Sequence, residues 1–315
     1  MSGLVPLGVR DTNVSLAVNL GGLAMKNPVT VASGTFAAGR EYSDFVDVAS
    51  LGAVTTKGVS LGGWEGNASP RIAETPSGML NSIGLQNPGV DHLVEIDLPW
   101  LREQNATTIV NVSGHSFDEY VRVIEKLEET DFVDAYEVNI SCPNVDQGGM
   151  TIGCKVSSVE TVIGMCRAAT KKPLIVKLTP NVTDITEIAR AAESAGADAI
   201  SLINTLLGMA IDAKKRVPKL ARVVGGLSGP AIKPVALRMV WETHKAVSVP
   251  LLGMGGIVTG TDAVEFMLAG ATAVAVGTAN FIDPTSSVRV VNELVDFCES
   301  EGVADVTELI GALKC

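Results

Sequence analysis

A cysteine follows an apolar, strand-like run in the segment "EVNISCPNVDQGGM", residues 137–150. Cys142 stands on a Ser-Cys-Pro corner, ahead of a loop that contains Gly148 and Gly149 as candidate hinges. A thiol in this place can remove or return a proton as the loop closes over a planar ligand, which makes Cys142 a candidate general base. Two alternatives stay open: a nucleophile, although no His lies nearby in the sequence to activate it, and a packed turn residue.

Two lysines occupy similar positions, at the ends of apolar runs. Lys57 ends the run "GAVTTK", and Lys177 lies near the end of "PLIVKL". A lysine that emerges from a buried strand can act as a cation toward an anionic ligand or an electron-rich ring. The alternative is that nearby carbonyl or carboxylate groups neutralise each ammonium group.

Four asparagines lie at or near the ends of apolar runs or in a Gly-rich loop: Asn81, Asn111, Asn139 and Asn204, the last followed by Thr205. An Asn side chain carries a donor and an acceptor together, and this pair matches the alternating N–H and C=O edge of a uracil-like ring. Each could instead cap a turn. If they converge, they predict a cradle for such a ring.

Glycines follow the last two apolar runs, in "GMGG" (residues 253–256) and "VGT" (residues 276–278). Glycine after a strand and before a helix lets backbone N–H groups approach a phosphate at the helix N-terminus. The alternative is that each glycine only permits a tight turn. Together the two sites favour a phosphorylated ligand.

Eight short β-branched runs must position these residues, and most are followed by a helical pattern. The runs are "PVTVAS", "GAVTTK", "TTIVNV", "AYEVNI", "PLIVKL", "DAISLI", "VPLLGM" and "TAVAVG". They are apolar on both faces, as parallel strands covered by helices must be. We expect a single (β/α)8 TIM barrel over residues 1–315 rather than a doubly wound sheet, with all strand ends on one active face.

Local signals add detail to this prediction. Residues 14–28 predict a short hairpin that turns at Gly21-Gly22 and closes the barrel's N-terminal face, after an N-terminal extension over residues 1–13. Ser116 and Glu119 predict a capping box at a helix start, and Asp184 with Glu187 predicts another helix start. That second helix should stop near Gly196.

Composition excludes several classes of function. The formal net charge of -11 and the pI near 4.8 argue against nucleic acid and anionic membranes as partners. The N-terminus lacks a basic segment followed by an apolar stretch, so we expect a soluble, cytoplasmic protein. The five cysteines are widely spaced and never form C-x-x-C, which predicts no disulfide framework and no metal site.

Taken together, the motifs resemble those of the class 1B dihydroorotate dehydrogenases, from about Val14 to near the C-terminus. The matching segments are "ASGTF", "TTK", "TPSGMLNSIGLQNPG", "NISCPN", "VKLTPN", "SLINTLLGMAID", "GGLSGPAIKP" and "GMGGI". The resemblance implies an FMN-dependent TIM barrel that oxidises (S)-dihydroorotate to orotate in de novo pyrimidine (UMP) biosynthesis. A membrane-associated class has Ser where Cys142 stands and a membrane-docking segment, which we do not expect in this protein.

The resemblance also implies residue roles. Cys142 would be the catalytic base, assisted by Lys57, while a hydride passes to the flavin. The implied orotate contacts are Lys57, Asn81, Ser82, Ile83, Gly84, Leu85, Asn139, Asn204 and Thr205. The implied FMN contacts are Ser33, Lys57, Gly58, Asn111, Asn139, Lys177, Ile203, Gly229, Gly255, Gly256, Gly277 and Thr278. Lys177 would stabilise negative charge at the flavin's electron-rich edge during reduction.

The NAD-linked class that the chain resembles works with a second subunit, an iron-sulfur flavoprotein that carries FAD and a [2Fe-2S] cluster and passes electrons to NAD+. The chain has neither cluster cysteines nor a Rossmann G-x-G-x-x-G after its first strand, so these groups would come from that partner. We expect a homodimer core within a heterotetramer. Alternatives are a fumarate-coupled or dihydrouracil-type FMN oxidoreductase and, less favoured, a phosphosugar isomerase or aldolase barrel without flavin.

Overall fold

The protein's structure, a computed structural model, describes residues 5–141, 143–144 and 150–314. Its strands are β1 (Val18–Leu20), β2 (Leu23–Met25), β3 (Val29–Val31), β4 (Val54–Thr55), β5 (Ile72–Thr75), β6 (Gly78–Asn81), β7 (Thr108–Val112), β8 (Ala135–Asn139), β9 (Pro143–Asn144), β10 (Met150–Thr151), β11 (Leu174–Lys177), β12 (Ala199–Leu202), β13 (Leu206–Met209), β14 (Ile211–Asp212), β15 (Val217–Pro218), β16 (Val224–Ser228), β17 (Leu251–Met254) and β18 (Ala271–Val276).

The helices are α1 (Val90–His92), α2 (Leu98–Glu103), α3 (Phe117–Leu127), α4 (Val156–Ala169), α5 (Ile185–Ser194), α6 (Lys233–His244), α7 (Gly260–Leu268), α8 (Ala279–Ile282) and α9 (Ser286–Glu301). A π-helical segment, Leu93–Asp97, joins α1 to α2. Short 3-10 turns lie at Arg40–Tyr42, Val48–Ser50, Ile152–Cys154, Pro230–Ile232 and Val306–Leu309.

Eight parallel strands of the described chain form one sheet in the order β3-β18-β17-β12-β11-β8-β7-β4. The two end strands meet as well, because the hydroxyls of Thr30 and Thr55 lie 3.1 Å apart and the Gly52 N–H donates to the Val29 carbonyl oxygen. The sheet is therefore a nearly closed barrel with helices between its strands. All eight predicted runs contain a barrel strand, which confirms the predicted TIM barrel.

Burial explains why these runs become strands. Every residue of β7, β8, β11 and β12 is buried, because helices cover the outer face and side chains fill the inside. Successive side chains alternate between the two faces. On β8 the Tyr136 hydroxyl reaches outward to Glu128, while the next residue, Glu137, contacts the side chains of Asn111 and Ser201 on other barrel strands.

Local signals at helix ends are largely confirmed. The Ser116 hydroxyl accepts the Glu119 N–H at the start of α3, but the Glu119 carboxylate accepts the His115 N–H rather than that of Ser116, so the predicted capping box is only half formed. The Asp184 carboxylate accepts the Thr186 N–H at the start of α5. Gly196, with φ of 103°, follows the end of α5 as predicted.

The N-terminal hairpin is β1 paired with β2, and it turns at Gly21 and Gly22 as predicted. A side chain added at Gly21 would lie 2.3 Å from the Asp198 carbonyl oxygen, just before β12, so the turn packs against the barrel's N-terminal end. The main apolar core runs from Leu16 to Leu309. A single domain over residues 1–315 stays a prediction.

A second sheet, which was not predicted from the sequence, has four antiparallel strands in the order β13-β16-β6-β5. It is built from loop segments that follow the barrel strands β4 and β12, and it carries Asn81 on β6. These strands are short and contain several glycines, so their sequences resemble those of loops. Within the part of the chain that is described, no helix combines the length and the apolar character needed to cross a bilayer.

Candidate active site

The register of the barrel brings the predicted polar residues to one end. Asn111 on β7 is level with Glu137 on β8, and Lys177 on β11 is level with both Asn139 on β8 and Ser201 on β12. These residues are all buried. Parallel strands in register therefore assemble a polar layer at the carboxyl end of the barrel from residues that are distant in sequence.

Glu137, which was not among the residues predicted from the sequence, lies at the centre of this layer. Its carboxylate accepts a hydrogen bond from Asn111 Nδ2 at 2.5 Å and one from Ser201 Oγ at 2.7 Å. Lys177 Nζ lies 3.9 Å from Glu137 Oε2. The available signal was its position two residues before Asn139 on the same strand, which puts both side chains on one face.

An unpaired acceptor lies next to this layer, beside Gly58. Asn111 Oδ1 and Ser113 Oγ are buried and have no hydrogen-bond partner among the described residues. A Cβ added at Gly58 would lie 2.6 Å from Asn111 Oδ1 and 3.2 Å from Ser113 Oγ. Buried polar atoms normally have partners, so this pair indicates a place for a ligand donor.

Asn139 and Asn204 meet at the strand ends. Asn204 Nδ2 donates to Asn139 Oδ1 at 3.4 Å, and Asn204 Oδ1 accepts the Thr205 N–H at 2.8 Å. Asn181, a residue that sequence reasoning also missed, donates from Nδ2 to the Thr205 carbonyl oxygen at 3.0 Å. The segment after β12 is thus held by side-chain amides.

Asn81 joins the same group through the antiparallel sheet. Its Nδ2 donates to the Gly226 carbonyl oxygen at 3.4 Å, and Gly226 lies against the Thr205 side chain so closely that an added Cβ would be 2.0 Å from Thr205 Oγ1. The structure therefore brings Asn81, Asn139, Asn204 and Thr205 together, while Asn111, the remaining predicted asparagine, lies against Glu137 in the polar layer.

Two asparagines outside the predicted set shape the loop of residues 82–85. Asn67 donates from Nδ2 to the Ser82 carbonyl oxygen and from its N–H to the Ile83 carbonyl oxygen. Asn87 donates from Nδ2 to the Leu85 carbonyl oxygen. Gly84 and Leu85 both have positive φ, 75° and 55°. The loop therefore has a fixed conformation beside Asn81.

The glycine-rich segments converge on the other side of the barrel mouth. Gly255 and Gly256 follow β17 with φ of 124° and 82°, and a Cβ at Gly256 would lie 2.9 Å from the Gly229 carbonyl oxygen. The Thr278 hydroxyl, after β18, donates to Ser228 Oγ at 2.8 Å. A Cβ at Gly277 would meet only ordinary contact, 3.5 Å from Ala32 Cβ. The predicted phosphate-binding residues are thus neighbours.

Three further predicted residues lie around this mouth. Ser33 is buried just after β3, and the Ile203 N–H donates to the Met254 carbonyl oxygen at the end of β17. The Lys57 N–H donates to the Ala37 carbonyl oxygen, and Lys57 lines a cavity of about 190 Å³ that also contains Asp97. Burial raises the pKa of the Asp97 carboxyl group, and His92 and Arg40 oppose that rise.

Cys142 lies outside the described residues, so its placement as a base stays a prediction. Of the other cysteines, Cys154 is exposed, and Cys166 and Cys298 are buried thiols; none of the three is in a disulfide. Burial raises the pKa of the Cys166 thiol to about 12, which leaves it protonated at neutral pH. No His, Cys, Asp or Glu cluster in the described ranges could hold a metal ion.

The residues present fit FMN. The open acceptor Asn111 Oδ1 suits a ring N–H, Lys177 supplies a buried cation, and the loops of Gly229, Gly256 and Thr278 form a backbone-lined cradle of the kind that binds phosphate. The ring of FMN therefore suits one end of the site, and its phosphate suits the other.

Comparison with known proteins gives a consistent picture. A family model described as "Dihydroorotate dehydrogenase" matches residues 15–298. A protein of Alkaliphilus metalliredigens named "Dihydroorotate dehydrogenase B (NAD(+)), catalytic subunit" is 57% identical over 302 residues, covering 96% of this chain and 100% of its own length. Relatives with the same name in Bacteroides thetaiotaomicron and Geotalea daltonii are 56% and 54% identical, over 95% of this chain and 99% and 98% of their own lengths.

Proposed function

The chain belongs to the dihydroorotate dehydrogenase family, and we propose that it is the FMN-dependent catalytic subunit of an NAD-linked enzyme that oxidises (S)-dihydroorotate to orotate in pyrimidine biosynthesis. The observation that carries this proposal is the group of Asn81, Asn139 and Asn204 beside a buried, unpaired Asn111 acceptor. One set of amides suits the substrate ring, and the acceptor suits the cofactor.

The proposed FMN contacts divide between the two ends of the site. Asn111, Asn139, Lys177 and Lys57 would hold the ring, with Ser33, Gly58 and Ile203 packed around it. Gly229, Gly255, Gly256, Gly277 and Thr278 would bind the phosphate through backbone N–H groups and a hydroxyl. When bound, FMN supplies a two-electron acceptor for hydride, which side chains alone cannot provide.

The proposed substrate contacts lie between the amide group and the loop of residues 82–85. Asn81, Asn139, Asn204 and Thr205 would match the alternating donors and acceptors of the dihydropyrimidine ring, and Lys57 would contact the substrate as well. The substrate would also contact Ser82, Ile83, Gly84 and Leu85. Amides fixed by one another, as in the Asn139–Asn204 pair, orient a ring without reorganising.

Cys142 would take the proton from the carbon next to the one that loses hydride. A Cys142 thiolate would form the new S–H bond as the C–H bond breaks, and the electron pair left behind would complete the ring's C=C bond. The hydride lost from the adjacent carbon would go to the two-electron acceptor that bound FMN supplies. The proton would then pass from the thiol to water.

We further propose that electrons leave through a partner, an iron-sulfur flavoprotein subunit with FAD and a [2Fe-2S] cluster, to NAD+. Support comes from the relatives' shared name, which specifies a catalytic subunit and NAD(+). A homodimer core within a heterotetramer and a cytoplasmic location remain part of the proposal.

The experiment is to purify the chain and record its colour and its turnover with dihydroorotate. We expect a yellow protein absorbing at about 450 nm, as flavins do, that reduces NAD+ only with a co-purified red-brown subunit from the native host. Turnover with fumarate alone would instead indicate the fumarate-coupled class. A colourless protein active on phosphosugars would overturn the flavin assignment.

A further inference from the structure

Glu137 is a buried carboxylate inside the barrel, and the proposed reaction gives it no role. Only 1% of its surface is exposed, and it reaches three other barrel strands: β7 through Asn111, β11 through Lys177 and β12 through Ser201. A buried charge persists only where it is paired and hydrogen-bonded, so these contacts explain why it is tolerated. They also connect it to two of the residues proposed to hold the flavin.

The first consequence concerns the orientation of Asn111. A carboxylate only accepts hydrogen bonds, so Asn111 must turn Nδ2 toward Glu137, where it donates at 2.5 Å. Asn111 Oδ1 then points the other way, toward Gly58, where it is buried and has no hydrogen-bond partner among the described residues. Glu137 therefore determines that the site presents an acceptor there rather than a donor.

The second consequence concerns charge. Lys177 is 5% exposed, and its ammonium nitrogen lies 3.9 Å from Glu137 Oε2. A buried cation paired with a carboxylate exerts a weaker net field on its surroundings than an unpaired one. The carboxylate therefore offsets part of the positive charge that Lys177 directs toward the barrel mouth.

We propose that Glu137 is a positioning residue that sets both the affinity for FMN and the reduction potential of the bound flavin. It acts through Asn111 and Lys177 and touches neither substrate nor cofactor. This inference rests on the proposed function, because it needs a flavin in the barrel mouth.

The test is Glu137→Gln, which keeps the size of the side chain and removes the charge. A Gln side chain can keep its carbonyl oxygen toward Asn111 Nδ2 and donate from its amide nitrogen to the Ser201 hydroxyl, so both contacts can persist while the charge that strengthens them is lost. We expect the FMN dissociation constant to rise severalfold, because a neutral amide holds Asn111 Nδ2 less strongly than a carboxylate does. The midpoint potential of the retained flavin should rise, because the Glu137 charge no longer offsets the positive charge of Lys177, which favours the reduced flavin.

The matched control is Glu128→Gln, since Glu128 is a carboxylate at the end of α3, on the barrel's outer side. The Glu128 carboxylate accepts hydrogen bonds from the hydroxyls of Tyr136 and Thr170. Like Glu137→Gln, this variant therefore removes the charge of a carboxylate that accepts two side-chain hydrogen bonds. We expect wild-type FMN affinity and wild-type potential from this variant, measured by flavin fluorescence and by equilibrium reduction against a reference dye.

An unchanged potential and dissociation constant in Glu137→Gln, or a lowered potential, would overturn the proposal even if thermal stability falls. If that variant does not fold, Glu137→Asp keeps the charge at a greater distance: a potential above that of the wild type supports the proposal, and the wild-type value overturns it. A wild-type chain that binds no FMN would instead refute the proposed function itself, so the two failures are distinguishable.

Discussion

The Tyr120 hydroxyl donates a hydrogen bond of 2.8 Å to the carbonyl oxygen of Asn139, and both residues are buried. Tyr120 belongs to α3, and Asn139 ends β8, three residues before Cys142. The Asn139 side chain in turn accepts the Ser141 N–H at 3.2 Å. A covering helix thus fixes the strand end from which the proposed catalytic corner leaves.

Removing this contact should affect both stability and chemistry. We expect Tyr120→Phe to lower the free energy of unfolding by about 1 kcal/mol, the usual net value of one hydrogen bond, because a buried carbonyl loses its partner. Flavin reduction by dihydroorotate should slow severalfold, because the strand end before Cys142 is less well fixed. Urea unfolding and stopped-flow absorbance measure the two effects.

Tyr136→Phe is the matched control, since it removes a hydroxyl that donates outward to Glu128. We expect it to reduce stability without slowing flavin reduction. Equal reduction rates for the two variants would show that the Tyr120 contact is only structural.

The proposed base gives a second prediction. We expect Cys142→Ala to retain FMN and to bind orotate, while flavin reduction slows by at least about 100-fold, the range that general-base catalysis supplies. Single-turnover reduction under anaerobic conditions measures this rate. Cys154→Ala, which removes an exposed thiol in the same region of the chain, should leave it unchanged. A wild-type rate in Cys142→Ala would refute a thiol base.

A third prediction concerns the space beside Asn111. We expect Gly58→Ala to lower FMN affinity by about tenfold or more, because the added methyl group would lie 2.6 Å from Asn111 Oδ1 and block the unpaired acceptor. Gly62→Ala is the control, because no atom lies within 4 Å of its added methyl group. Flavin fluorescence on dilution reports the dissociation constant. Equal affinity in both variants would contradict an FMN contact at Gly58.

The fourth prediction concerns pH and the helices behind the glycine segments. Burial raises the pKa of the Asp262 carboxyl group, but hydrogen bonds from Lys233, Val258 and Thr259 outweigh it and hold the pKa below the ordinary 3.8. A carboxyl group with a lowered folded-state pKa adds stability above pH 3.8 and loses it as the pH falls through the folded value.

We therefore expect Asp262→Asn to reduce the free energy of unfolding at pH 7 by about 1–3 kcal/mol, with the difference from wild type shrinking below about pH 4. Urea unfolding across this range measures it. Asp296→Asn, at an exposed ion pair with Arg10, should change stability much less than Asp262→Asn does, because solvent screens exposed pairs. A difference independent of pH would contradict the role assigned to the Asp262 charge.

The sequence predicts the barrel well and the site only in part. β-branched runs buried on both faces specify parallel strands, so the eight strands and the convergence of Asn139 with Asn204 could be foreseen. For Glu137 the available signal was weak, its position two residues before Asn139, because its partners Asn111, Lys177 and Ser201 become neighbours through strand register. The antiparallel sheet over the site was missed because strands such as "VGGLS" have too little alternation to be distinguished from loops.

The central claim is that dihydroorotate reduces a flavin bound to this protein. The most direct test is to mix the purified protein with dihydroorotate under anaerobic conditions and to follow the absorbance at about 450 nm. We predict that the flavin band bleaches in a single turnover and that orotate forms in an amount equal to the bound FMN. A protein that carries no flavin, or whose flavin band persists with dihydroorotate present, would contradict the account.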